Sequence, residues 1–188
     1  AQAENYWKIR LETLPNAAQL PLVKDPMTIK NVHFSRRQAS LSQKNWHALR
    51  QLAKQHGITP SVMILTVYAE ILSQWSGGEA HTLNLTLFDR QAVHPDINKI
   101  VGDFTSLAPV AYQPNASKTL LQLAQDTQNE IAEALEHREV SSIWVQRERA
   151  RTMGLTSAAL PIVFTSTLGM SDSLFEQLPK NGFPDLAG

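Results

Sequence analysis

The sequence predicts an α/β layered fold. Helical and strand-like segments alternate along its 188 residues, which favours helices packed on a sheet over a bundle or an all-β barrel. Two stretches carry most of that expectation. "SVMILTVYAEILSQW" (61–75) is apolar nearly all round and predicts a central buried helix. "HTLNLTLFDR" (81–90) alternates, as a strand does.

Composition bounds the function. A content of 43% hydrophobic and 18% charged residues is that of an ordinary globular chain with one sizeable core. Its 17 basic and 17 acidic side chains cancel, which removes the bulk electrostatic case for nucleic acid or an anionic membrane as partner. There is no cysteine, hence no disulfide framework, thiolate metal site or cysteine nucleophile, in keeping with a reducing, cytoplasmic setting. No apolar run reaches the length of a membrane span, and no basic-then-apolar leader opens the chain. The Asn115-Ala116-Ser117 triplet is read as a chance sequon. Beginning with Ala and ending in "FPDLAG", the chain reads as a piece of something longer.

Each element follows from local signals. "ENYWKIRLETLP" predicts a short helix that stops before Pro15. Prolines 15, 21 and 26 then make an extended connector. "NVHFSRRQAS" reads as a strand. Ser42 caps a helix running to about His56, with Trp46, Leu49 and Ala53 on one face and Gly57 as terminator. Thr59-Pro60 opens the apolar helix, which Ser76-Gly77-Gly78 closes. In the alternating strand Leu83, Leu85 and Leu87 point one way and Thr82, Asn84, Thr86 and Phe88 the other. That polar face is informative, because a helix-covered strand needs neither Asn nor Thr there. "DFTSLAPVAY" predicts the next strand, and "SKTLLQLAQDTQNEIAEALEHR" a long amphipathic helix capped by Ser117. A further helix covers about 141–152, and "LPIVFTSTL" is the last strand. Phe-Thr-Ser occurs at 104–106 and at 164–166 in unlike surroundings, so the chain has no internal repeat.

Few constellations offer chemistry. Glu130, Glu133 and His137 share one helix face, but no second ligand set matches them; they read as a solvated face, and no metal is expected. Helical spacing splays Arg147, Arg149 and Arg151, and Glu148 interrupts them, so they too read as solvated rather than phosphate-binding. His33 and His81 read as hydrogen-bonded structural groups. A Ser or Thr hydroxyl becomes a nucleophile only beside a base, and no Ser-His-Asp arrangement is present. The hydroxyl strands therefore have two readings. Thr is a good strand former whose hydroxyl can serve local backbone groups. Alternatively Thr165, on the face shared with Val163 and Thr167, lines a crevice and hydrogen-bonds a reacting atom without being attacked.

Four stretches in order add a resemblance. The first is Leu14, Pro15, Leu20, Pro21, Leu22 and Pro26, with Ala18 at a place where a further Pro is usual. The second is the helix opened by Thr59-Pro60 and closed by Ile71, Leu72 and Trp75. The third is Gly102-Asp103-Phe104-Thr105 with Leu107, and the fourth Pro161 through Leu168 with Ile162 as the one departure. Together they resemble the heterocyclization domains of nonribosomal peptide synthetases, relatives of the condensation domains.

The resemblance implies a chloramphenicol-acetyltransferase-like lobe, a mixed β-sheet flanked by helices, forming half of a V-shaped two-lobe domain. Residues 1–188 would be its C-terminal subdomain, with 1–27 as lead-in helix and Pro-rich connector and 28–188 as the α/β lobe. The Asp-x-x-x-x-Asp signature of the first lobe does not occur here. Substrates would arrive on the phosphopantetheine arms of upstream and downstream carrier proteins, and the lobe would bind no cofactor of its own. The missing N-terminal lobe and an adjacent adenylation domain are the other implied partners.

The implied reaction joins an acyl or aryl thioester to carrier-bound Cys, Ser or Thr. It then cyclodehydrates the amide to a thiazoline or oxazoline, as in siderophore biosynthesis. Thr165 and Asn84 would be catalytic, Thr165 together with an Asp expected beyond residue 188. Thr86, Asp103, Thr105, Ser106 and Ser166 would line the tunnel, Asp103 being equally open to a structural role in its loop. An ordinary amide-forming condensation domain and a non-catalytic carrier-docking lobe are the alternatives. The isolated lobe is expected to be inactive.

Overall fold

The computed structural model describes residues 2–88 and 93–168. Its main elements are α1 (Gln2–Arg10), α2 (Gln43–Gln55), α3 (Pro60–Trp75), β1 (His81–Phe88), β2 (Thr105–Tyr112), α4 (Leu120–Glu136), α5 (Ser142–Met153), α6 (Leu155–Ala158) and β3 (Val163–Phe164). The strands form one mixed sheet in the order β2-β1-β3. β1 and β2 are antiparallel, with Asn84 opposite Pro109 and Phe88 opposite Thr105; β3 runs parallel to β1, with Asn84 beside Val163 and Leu85 beside Phe164.

The register sorts the side chains onto two faces, because partners in a ladder point the same way. Leu83, Leu85, Val110, Ala108 and Phe164 share a face with α3, whose Leu65 and Ala69 join them in the main core. Tyr68 of α3 lies against Phe164, ring centroids 6.3 Å apart. The other face carries Thr82, Asn84, Thr86, Pro109, Leu107, Thr105 and Val163. α5 covers its first half through Ser142, which donates to Asn84 Oδ1. A smaller cluster of Ala53, Ile58, Val62, Met63 and Ala124 fastens α2, α3 and α4 together.

The first helix belongs to the core. Trp7, Leu11 and Leu14 are buried within the main cluster, and the Trp7 indole donates to the His137 carbonyl at 3.1 Å. Beyond them the connector runs along β1: the Thr82 N–H donates to the Asn16 carbonyl at 2.9 Å and the Thr82 hydroxyl to that of Pro15 at 2.7 Å. Arg149 of α5, wholly buried, locks this corner by donating to the carbonyls of Leu14, Leu11 and Ser157 and to Asn16 Oδ1. The expectation that all three arginines are solvated thus holds for Arg147 and Arg151 and fails for Arg149.

Other expectations also change. The long helix is capped by Thr119, not Ser117. Thr119 and Gln122 form a reciprocal capping box, while the Ser117 N–H is taken by Asn115 Oδ1. The segment 31–41 is exposed coil instead of a strand, with Phe34 88% exposed, because no strand among the described residues offers its backbone a ladder. His33 lies in that coil. α3 is not central: Val67, Ile71 and Trp75 form an exposed apolar stripe while Leu65, Ala69 and Leu72 face inward. The Glu130, Glu133 and His137 face is covered by α1. Arg10 pairs with Glu130 at 2.6 Å and Glu133 at 3.5 Å, and Tyr6 stacks on His137 with centroids 3.8 Å apart. Among the described residues no three acidic or imidazole groups are placed to hold a metal, and no helix is long and apolar enough to cross a membrane.

His81 is the buried group most exposed to acid. It is fully enclosed against Tyr112, and neither ring nitrogen has a hydrogen-bond partner among the described residues. Burial pushes its imidazole below the ordinary value, only partly countered by the backbone of Glu79 and the charge of Glu70. The unfolded chain therefore takes up this proton first. Stability is full above the unfolded value of about 6.5 and falls as pH drops below it toward the folded value, by at most about 1.4 kcal/mol per pH unit. Urea midpoints of wild type and His81→Phe between pH 7.5 and 5.5 check this. The wild-type midpoint is expected to fall more steeply than that of the variant.

Candidate active site

The two Phe-Thr-Ser segments meet on either side of the last turns of β1. Thr105 pairs with Phe88 and Ser106 with Leu87, while Phe164 lies beside Leu85 on the opposite edge. The Thr86 and Thr165 hydroxyls, on the face that α5 leaves uncovered here, are hydrogen-bonded to each other at 2.8 Å. Thr165 is exposed and Thr86 half-buried. Neither has a hydrogen bond to an ionisable side chain among the described residues, so the pair can orient or donate to a reacting atom but has no base to make it a nucleophile.

The other expected residues fall into three places. Thr105 is exposed and on the same face. Its N–H donates to Asp103 Oδ1 at 2.8 Å, and hydrogen bonds from the Thr105 hydroxyl and backbone hold the Asp103 carboxyl below the usual carboxylate range. Asp103 is thus an anion that ties its own loop, the structural option left open in the sequence. Ser106 and Ser166 lie on the opposite face. The Ser106 hydroxyl is buried without a partner among the described residues, and Ser166 Oγ meets Ser61 Oγ at 2.8 Å.

Asn84 shares the Thr86 face but not its openness. It is buried, its Nδ2 donating to the Leu160 carbonyl at 2.8 Å and its Oδ1 accepting from Ser142. Both ends of the amide hold other elements to β1: the start of α5 and the residue preceding the β3 approach. Asn84→Ala takes the donor from the Leu160 carbonyl and the acceptor from the Ser142 hydroxyl, which keeps only its bond from Gln146 Nε2, and is expected to cost about 2–3 kcal/mol. Urea unfolding measures this, and a loss under 0.5 kcal/mol would remove the bracing role.

Sequence reasoning missed Ser61, Ser142 and Arg149. Ser61 reads only as a first-turn residue of α3, and nothing in helical spacing tells Arg149 from its neighbours. A cleft of about 550 Å³ lined by His47, Arg50, Lys54 and Thr59 lies between α2 and α3 and includes none of the candidate site residues.

A three-stranded mixed sheet flanked by helices, with hydroxyls gathered at its open end, defines an α/β lobe of the condensation type. The chain belongs to the Condensation domain family, whose model matches residues 1–172. It is 35% identical over 179 residues to bacitracin synthase 1 of Bacillus licheniformis, covering 93% of this chain and 3% of that protein. It is 34% identical over 164 residues to phenyloxazoline synthase MbtB of Mycobacterium tuberculosis, covering 83% of this chain and 12% of that protein. The cyclization-docking bidomain of the EpoB nonribosomal peptide synthetase from Sorangium cellulosum has the same fold. Its TM-score is 0.80 at 38% identity, over 89% of this chain and 34% of that one. The chain therefore spans a small part of the relatives it matches.

Proposed function

We propose that this lobe is one wall of the reaction tunnel of a nonribosomal peptide synthetase heterocyclization domain. The observation that carries the reading is the Thr86–Thr165 hydroxyl pair, open on one face and without a hydrogen bond to an ionisable side chain among the described residues. Similarity to a phenyloxazoline synthase and to a cyclization-docking bidomain supports it.

The amine of carrier-bound Cys, Ser or Thr attacks the upstream thioester, forming the amide and releasing the carrier thiol. The side-chain thiol or hydroxyl then attacks the amide carbon. The former carbonyl oxygen takes up the side-chain proton and then the nitrogen proton and leaves as water, and the C=N bond of the thiazoline or oxazoline forms. The leaving oxygen is poor, so proton delivery decides the rate. Thr165, oriented by Thr86, hydrogen-bonds that oxygen as it departs. Asn84 acts from behind as a positioning residue, and Thr105 lines the same wall. Carrier proteins on both sides, the other lobe of the domain and a neighbouring adenylation domain are its partners.

The test supplies a carrier already loaded with the linear N-acyl-cysteinyl amide to the two-lobe parent enzyme. Ring closure without any upstream donor supports the reading. Persistence of the linear amide means that the enzyme is an ordinary condensation catalyst.

A further inference from the structure

We infer that Ser61, in the first turn of α3, is a positioning residue that fixes the Thr165 segment through Ser166; this rests on the role proposed for Thr165. Backbone pairing of β3 with β1 ends at Phe164, one residue before the hydroxyl that matters. Past that point two hydroxyl bonds on opposite faces tie the segment to the rest of the lobe. Thr165 bonds to Thr86 and Ser166 to Ser61, each at 2.8 Å. Ser166 Oγ also accepts the Leu168 N–H at 3.3 Å, which closes the turn that follows. A hydroxyl has one proton and two lone pairs, so Ser166 can hold both partners at once.

The geometry converts this contact into control of Thr165. Successive residues of an extended chain point to opposite faces. Pinning Ser166 to the α3 side therefore sets the rotation of the peptide that carries Thr165 on the other. Removing Ser61 leaves the Thr86 bond as the remaining side-chain tie among the described residues, and a single hydroxyl bond does not fix that rotation. The anchor itself is rigid. Thr59 Oγ1 accepts the Val62 N–H at 3.3 Å, the Thr59 N–H donates to Gln128 Oε1 at 2.8 Å, and Val62, Met63 and Leu65 are buried just behind Ser61.

The experiment uses the two-lobe parent enzyme and the preloaded linear amide, and follows ring closure and amide formation separately. Ser61→Ala is expected to slow ring closure about five- to tenfold, the effect of one net hydrogen bond, with amide formation unchanged. Ser166→Ala is expected to do the same, and the double variant to be no slower than either single one, because both remove one interaction. Ser61→Thr, which keeps the hydroxyl, restores the rate. Hydrogen exchange of the peptide covering 163–168 rises in Ser61→Ala while the melting temperature holds. Unchanged exchange, or additive losses in the double variant, overturns the inference. Wild-type ring closure by Ser61→Ala beside its loss in Thr165→Ala overturns it alone. Wild-type closure by Thr165→Ala removes the role proposed for Thr165 and the positioning role of Ser61 together, and leaves the heterocyclization reading to the preloaded-amide test.

Discussion

Thr165→Ala is expected to slow ring closure about 100-fold in the two-lobe parent while leaving amide formation within about twofold of wild type. The magnitude is that of removing one preorganised hydrogen-bond donor from a developing charge. The selectivity follows from chemistry. Amide formation expels a thiolate, a good leaving group, and needs no proton at the carbonyl oxygen. Ring closure expels that oxygen as water and does. The Thr165 hydroxyl has one described partner, Thr86, and stands on an exposed strand end, so its removal takes away an interaction without opening the core. Thr165→Ser keeps the hydroxyl but frees the side chain to rotate, since Ser lacks the β-branch that stiffens χ1. An intermediate rate is expected for it. Equal loss of both products in Thr165→Ala would mean that the strand end matters for folding or docking and not for dehydration.

Arg149→Ala is expected to lower stability by about 3–5 kcal/mol, the largest effect of any single substitution considered for this lobe. The guanidinium is fully buried, and its neighbours are carbonyls of Leu11, Leu14 and Ser157 and the amide oxygen of Asn16. Burial pushes its pKa down, yet an arginine so solvated by carbonyl dipoles stays charged. Truncation leaves those acceptors unpaired in the interior and opens a cavity between α5 and the Leu14-Pro15 corner. Arg149→Lys is expected to recover less than half of the loss, because an ammonium cannot reach acceptors spread around a planar fork. Urea midpoints at unchanged m measure both, with Arg147→Ala, on the exposed side of the same helix, as the neutral reference.

Arg149 also shows where sequence reasoning stops. Three arginines at alternate positions offer no local signal of which one is buried; that is fixed by the distant Leu14-Pro15 corner. The same limit explains α3. Apolar residues all round a helix do not separate one buried on every side from one that leaves Val67, Ile71 and Trp75 exposed. Local signals served better. Ser42 and Thr59 cap α2 and α3 as their positions foretell, and the alternation of 81–88 matches the faces of β1. Ser117 and Thr119 are both good caps, and the reciprocal bond with Gln122 decides between them.

For the candidate site, alternation alone places Thr165 and Ser166 on opposite faces, and the hydrogen bonds to Thr86 and Ser61 agree. The same alternation puts Asn84 beside Thr86. It carries no sign that Ser142, some sixty residues later, covers one and not the other.

The most direct test of the central claim is the intact mass of the carrier-bound product made by the two-lobe parent from an acyl-loaded donor and a cysteinyl acceptor. A heterocyclization domain is expected to yield a condensed product lighter than the linear amide by one water. A product with the full mass of the linear amide, and nothing lighter, would contradict it.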